Sequence, residues 1–483
     1  MIPNAPDTKP SVPVGARAGD LALKPCEFKT DAGTVAADCG TLVVPENRAK
    51  SDSQLIALPI IRMRATGNAP AEPIFWLEGG PGMSNVKFKP PSWLLTNHDF
   101  VAVGYRGVDG SVVLDCPEVS RAMRGVGGDM LSAESRAGVG SAARQCARRL
   151  QAEGVDFEGY TIPEVVADLE AARAGLGYGQ VDLLSQSYGT RVAQIYADLH
   201  PTRIRRSVMI GVNPPGGFVW EPATIDAQLK YYAGLCMQNA RCSARTPDLA
   251  ETVRRVSHNM PKRWLFVPID TGKVKLTTFA LLFNRGTAAM VFNAYLAADA
   301  GDLSGVALMS LVSDFVFPGL ATWGDFFAKG FTADFDASRD YAADMNSPDS
   351  ILGSPMSSLL FDELPEYWPI SLIPEELRHT QPSDVETLLV SGSVDFSTPA
   401  ERATHDLLPY LRNGKQVILK EAGHVGDLWG LQPAATERLL TSFYDTFEVS
   451  IGFPMLAKIV LAVVLLLSVV ILAVVWSMVR RSL

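Results

Sequence analysis

Val181-Asp182-Leu183-Leu184-Ser185-Gln186-Ser187-Tyr188-Gly189-Thr190-Arg191 joins a short apolar run to a helical pattern through a serine with small neighbours. A serine on a tight strand-to-helix turn needs such neighbours, because its own backbone is strained and the strand and helix pass close together. The turn then presents the hydroxyl at the carboxyl edge of a sheet. The usual form is Gly-x-Ser-x-Gly; here Ser185 stands at the first glycine position, a small residue that weakens the pattern without breaking it. A helix is expected over 190–199.

Working outward, short apolar runs alternate with helical patterns from Cys39 to about residue 215. They are LIALPII at 55–61, PIFWL at 73–77, FVAVGY at 100–105, VDLL at 181–184 and RSVMI at 206–210. That alternation predicts an α/β fold with a mostly parallel sheet. Thr161, followed by Pro163 and Glu164, reads as the capped start of a helix ending at Gly175-Leu176-Gly177. Between 216 and 380 the strand signal fades, and stretches such as 277–299 and 303–316 predict a helical cap inserted into the sheet. Strand signals return at 385–392 and 415–423, followed by a helix near 433–447. The expected organisation is an N-terminal arm over 1–38, a first core segment over 39–215, the cap over 216–380 and a second core segment over 381–448.

A hydroxyl attacks only if a base takes its proton, and that base must be held in one tautomer by a carboxylate. Of six histidines, His424 follows the last predicted strand in the glycine-flanked loop Glu421-Ala422-Gly423-His424-Val425-Gly426; the other five read as ordinary surface or core residues. Asp395 follows the preceding strand in the same way, with an ordinary turn aspartate as the alternative reading. The order Ser187, Asp395, His424 is that of α/β-hydrolases. Glu78-Gly79-Gly80-Pro81-Gly82 follows the strand PIFWL, where backbone N–H groups can meet a tetrahedral oxyanion, so Gly79 and Tyr188 are the expected donors. The run lacks the lysine of a phosphate-binding loop and the spacing of a dinucleotide fingerprint.

The runs Trp76 to Ser84, Tyr105 to Ser111, Asp115-Cys116-Pro117 and Ser187 to Arg191, with Tyr367-Trp368-Pro369 and Val390 through His424 downstream, resemble the proline iminopeptidase and tripeptidyl aminopeptidase branch of the α/β-hydrolases. The resemblance covers about 39–445. It implies a helical cap over an α/β-hydrolase core, with Ser187 as nucleophile, Asp395 as acid, His424 as base, and Gly79 and Tyr188 as oxyanion donors. Glu78, Gly104 and Ser185 depart from the branch pattern, and the cap matches only at its edges.

Three activities fit these residues. A serine exopeptidase would bind the free amine of a peptide through a carboxylate, for which Glu221, Asp226, Asp334, Asp336, Glu363 and Glu366 are candidates. An esterase or lipase would use the same triad on acyl esters. A non-catalytic binding module is the third. None requires a cofactor, and no metal site is expected.

The chain has 483 residues, 47% hydrophobic, with a net charge of −9 and no basic run longer than Arg480-Arg481, which argues against nucleic acid as a partner. Ile459 to Met478 is twenty residues without charge, about 30 Å as a helix, and reads as a single-pass transmembrane helix that makes the lipid bilayer a partner. Arg480 and Arg481 beyond it place the tail in the cytoplasm and the catalytic domain outside, on the periplasmic side. Cys26, Cys39, Cys116, Cys146, Cys236 and Cys242 fall into three near pairs along the sequence, which predicts disulfides 26–39, 116–146 and 236–242 and an oxidising compartment, with six reduced core cysteines as the alternative reading. Against outward placement, residues 1–20 contain no apolar stretch of the kind an export signal needs.

Overall fold

The computed structural model describes residues 9–31, 33–124 and 128–449. Eleven strands are found there: β1 Leu21–Thr30, β2 Gly33–Pro45, β3 Leu55–Met63, β4 Ile74–Leu77, β5 Phe100–Val103, β6 Val181–Gln186, β7 Ile204–Ile210, β8 Arg263–Trp264, β9 Val267–Pro268, β10 Glu386–Gly392 and β11 Gly414–Leu419. All but the small β8–β9 ribbon form one sheet in the order β1-β2-β3-β5-β4-β6-β7-β10-β11. The pairings from β1 to β5 are antiparallel, and those from β5 through to β11 are parallel. β4 and β5 are buried along their whole length, as expected of central strands covered on both faces, which is why their sequences are unbroken apolar runs.

The segment expected as a loose arm is structured from Leu21 onward, where it supplies β1 and the start of β2. Pro25 obscured it, because proline cannot donate within a sheet; β1 is an edge strand, the place where that is tolerated. Gly40 in β2 lets the two strands close, since a Cβ there would lie 1.8 Å from the carbonyl oxygen of Ala22.

The helix Ile162–Gly175 begins where the sequence places it, but the capping box does not form. Thr161 makes no side-chain cap bond, and Glu164 instead accepts from the Arg48 backbone N–H (3.1 Å) and pairs with the Arg48 guanidinium. The expected helix over 190–199 starts two residues earlier, at Tyr188.

The inserted segment is helical, as expected, apart from the β8–β9 ribbon. The stretch 277–299 is two helices, Thr271–Leu281 and Arg285–Asp299, separated at Leu282–Asn284. The cap is tied to the core by buried polar contacts. Lys329, on the helix Trp323–Asp334, donates to the carbonyl oxygen of Arg106 (2.9 Å) and pairs with Asp325, all out of water.

The three disulfides join Cys26 to Cys39, Cys116 to Cys146 and Cys236 to Cys242, with Cα separations of 5.7, 5.4 and 5.2 Å. Residues up to Leu431 form one compact unit. A second begins at Gln432, and its described part holds the helix Pro433–Thr446. The expected transmembrane helix Ile459 to Met478 lies outside the described residues; among those described, no single helix is long and apolar enough to cross a membrane.

Candidate active site

Strand β6 ends at Gln186, and Ser187 makes the turn into the following helix with φ 51° and ψ −122°. A side chain in this left-handed region is strained, and the turn is held by a bond from the Ser187 N–H to the carbonyl oxygen of Ile210 on β7 (2.8 Å). Gly189 is required by the close pass of helix and strand: a Cβ there would stand 2.1 Å from the carbonyl oxygen of Leu77. Ser185, which replaces the first glycine, fits because its hydroxyl donates to the carbonyl oxygen of Val208 (2.9 Å) in the buried sheet.

Asp395 sits in the turn after β10 and is fully buried. Its Oδ1 accepts from the N–H groups of Ser397 (2.9 Å) and Thr398 (2.8 Å), and its Oδ2 from the Thr398 hydroxyl (2.8 Å). His424 Nδ1 lies 2.9 Å from Oδ2 and 3.1 Å from Oδ1. An ionised carboxylate only accepts, so Nδ1 carries the proton and Nε2 is left with its lone pair free. Two features keep the ring in place. Gly211, with φ +62°, leaves it room, since a Cβ there would come within 2.9 Å of Cε1. Asp427 accepts from the N–H groups of Gly423 (2.8 Å) and Arg285 (2.7 Å), pinning the histidine loop to the cap.

Ser187, His424 and the Gly79–Pro81 loop line one cavity of about 290 Å³. Its other walls are mainly aromatic: Phe218, Trp220, Phe279, Phe283, Trp323 and Phe326. None of the other five histidines lines it. Tyr188 opens a helix, so its N–H has no acceptor within that helix.

The structure brings Gly79 against Ser187, with a Cβ at Gly79 falling 3.0 Å from that of Ser187. It gives the Gly79 N–H a partner the sequence did not indicate, Oε1 of Glu78 at 2.7 Å. The same oxygen accepts from the side-chain amide of Gln186, whose own oxygen accepts from the Trp429 indole N–H (3.0 Å). Burial pushes the Glu78 carboxyl above its usual range, opposed by these two hydrogen bonds. The loop itself is positioned by Asn85, wholly buried, which accepts from the Glu78 N–H (2.7 Å) and donates to the carbonyl oxygens of Trp76 (3.0 Å) and Val103 (2.7 Å) where β4 and β5 diverge.

None of the six cap carboxylates expected to bind a substrate amine lines this cavity. Glu221 forms a two-pronged pair with Arg339 (2.6 and 2.7 Å), Asp226 accepts from the Ile351 N–H (2.9 Å), and Asp334 from those of Gly216 (3.1 Å) and Phe218 (2.9 Å). Asp336 accepts from Ser338, Glu363 lies 3.9 Å from Arg136, and Glu366 is exposed. Glu221, Asp334 and Asp336 border a separate groove of about 900 Å³.

The profile of the alpha/beta hydrolase fold family matches residues 72–235. Tripeptidyl aminopeptidase of Streptomyces lividans is 28% identical over 207 residues, 40% of this chain and 38% of the relative. Serine protease Hip1 of Mycobacterium tuberculosis is 29% identical over 234 residues, 42% of each. The chain thus spans about two fifths of the length of these relatives. Among solved structures, a thermophilic esterase from Thermogutta terrifontis aligns with TM-score 0.34 and 12% identity over 87% of this chain and 98% of that one. The profile match covers β4, the Gly79–Gly82 loop and the Ser187 turn, but not Asp395 or His424, and the chain has an α/β-hydrolase fold with a mostly parallel sheet.

Proposed function

We propose that the protein is a serine exopeptidase, an aminopeptidase that cleaves short units from peptide N-termini through an acyl-enzyme. Ser187 is the nucleophile, His424 the base that takes its proton and returns it to the leaving amine, and Asp395 the carboxylate that holds the imidazole. The observation that carries this reading is the bond from His424 Nδ1 to Asp395 Oδ2, with His424 lining the same cavity as the strained Ser187. The Tyr188 N–H supplies one oxyanion donor and the Gly79 N–H the second, in competition with Glu78. The names of the two relatives, an aminopeptidase and a protease, favour peptides. The aromatic lining favours a second reading, an esterase acting on acyl esters. Ser187→Ala should lower kcat at least about 10³-fold with the fold intact, since the triad acts as a unit. A fluorophosphonate that labels the wild type and this variant equally overturns the assignment.

The same proposal holds the domain at a membrane, through Ile459 to Met478, on the extracytoplasmic side where three disulfides persist. Protease added to intact spheroplasts of the native host should release the domain. Digestion only after lysis overturns that placement.

A further inference from the structure

Of the described residues lining the catalytic cavity, Glu78 is the single carboxylate, and none is a lysine or arginine. Its two oxygens are unequal. Oε1 is held by the Gly79 N–H and the Gln186 amide, while among the described residues Oε2 has no hydrogen-bond donor and no cation pairs with either. A carboxylate drawn partly out of water among aromatic rings without a counter-charge is costly, and the cost is relieved when a cation enters. Both residues that fix Oε1 are neighbours of the reaction centre: Gly79 touches Ser187, and Gln186 precedes it in the chain.

We propose that Glu78 receives the free α-ammonium of the substrate, and that the enzyme therefore removes single N-terminal residues with bulky apolar side chains rather than di- or tripeptides. This rests on the exopeptidase reading and narrows it. In the residue that carries the scissile carbonyl, the amine is only two bonds from that carbonyl carbon. An anchor one residue from the oxyanion loop suits such an amine. In a tripeptidyl substrate the amine lies two residues further out, roughly 7 Å of extended chain away. The cavity agrees, because about 290 Å³ is at the small end of ligand pockets and its aromatic walls suit one apolar side chain. The acyl step needs no further reagent: Ser187 Oγ attacks the carbonyl, the peptide C–N bond breaks, the leaving amine takes the proton from His424, and water later releases the free amino acid.

The experiment compares phenylalanyl- and leucyl-aminomethylcoumarin with their N-acetyl forms, with 3-phenylpropionyl-aminomethylcoumarin, which lacks the amine, and with a tripeptidyl-aminomethylcoumarin. Wild type and Glu78→Gln are assayed side by side, and thermal unfolding reports whether the variant is folded. Wild type should favour the free aminoacyl substrates over the acetylated, amine-less and tripeptidyl ones by about 100-fold or more in kcat/KM. Glu78→Gln keeps an acceptor for Gly79 and Gln186 but loses the charge, so that preference should collapse to a few-fold. The acid limb of kcat/KM should also contain a titration seen with the free amine and absent with the acetylated substrate, a readout in the wild type that holds even if the variant does not fold. A free-amine preference that survives in folded Glu78→Gln overturns the role of Glu78 and leaves the exopeptidase reading standing. Faster turnover of the tripeptidyl substrate overturns the single-residue specificity. Equal turnover of free and acetylated substrates by wild type overturns both.

Discussion

The hydroxyl of Ser185 donates to the backbone oxygen of Val208 across β6 and β7, so a position that ordinarily demands glycine here carries a side chain that binds the neighbouring strand. Replacing it with glycine removes one buried neutral hydrogen bond, worth about 1 kcal/mol. Ser185→Gly should therefore lower stability by about 1–2 kcal/mol in denaturant titrations while leaving kcat within about threefold. Ser185→Val adds bulk in a closed space and should cost more than the glycine variant.

Thr398 shares Asp395 with His424. Removing its hydroxyl in Thr398→Val leaves both backbone donors to Oδ1 in place but leaves Oδ2 held by His424 alone. A fall in kcat of about tenfold with little change in KM is expected. Asp395→Asn presents an amide N–H to Nδ1, forces the wrong tautomer, and should cost on the order of 10³- to 10⁴-fold. Steady-state kinetics on any turned-over substrate separates the two.

Lys329 and Asp325 form an ion pair with no access to water. Lys329→Met strands the carboxylate and should destabilise the protein by about 3–5 kcal/mol, whereas Lys329→Met with Asp325→Leu should recover much of that loss. Chemical denaturation of both variants tests this. A double variant no more stable than the single would show that the bond from Lys329 to the Arg106 carbonyl, and not the charge balance, is what counts.

Burial pushes the Asp198 carboxyl up to about 6, against the pull of Arg191. The folded state thus holds this proton more tightly than the unfolded chain, whose aspartate titrates near 4. Its contribution to stability is complete below about pH 4 and is lost as pH rises through 6, an amount of roughly 2 kcal/mol after allowance for partial exposure. Asp198→Asn should remove that slope, seen as the difference between its stability curve and that of wild type between pH 4 and 6.

The parts of the site that could be read from the chain are those whose chemistry is local. The Ser187 turn, the glycine loop after β4, and the loops carrying Asp395 and His424 each lie within a few residues of a strand end. The three disulfides were legible for the same reason, each joining neighbours in sequence. Other features depend on contacts that no spacing reveals. Asp226, Asp334 and Glu221 look like free cap acids in the sequence, yet each is bound to a partner more than a hundred residues away. Asn85 resembles any loop asparagine until β4 and β5 part around it. Glu78 was visible only as a departure from the branch pattern, because its hydrogen bond to Gln186 appears when the two strand ends meet.

β7 and β10 lie side by side, yet residues 211–385 are made between them. In closure entropy this detour is cheap, since a long loop costs only about 2–3 kcal/mol more than a dozen-residue crossover. In time it is expensive. At 5–20 residues per second, the ribosome needs on the order of 10 to 30 s after finishing β7 before β10 exists, and throughout that interval Ile204–Ile210 offers one edge of unpaired backbone N–H and C=O groups with no strand to accept it. A chain destined for another compartment would have to travel in that unfinished state or be kept from pairing with its copies. The nascent chain is thus the form in which this enzyme is most exposed to aggregation, and slowing synthesis within the cap should lower its yield.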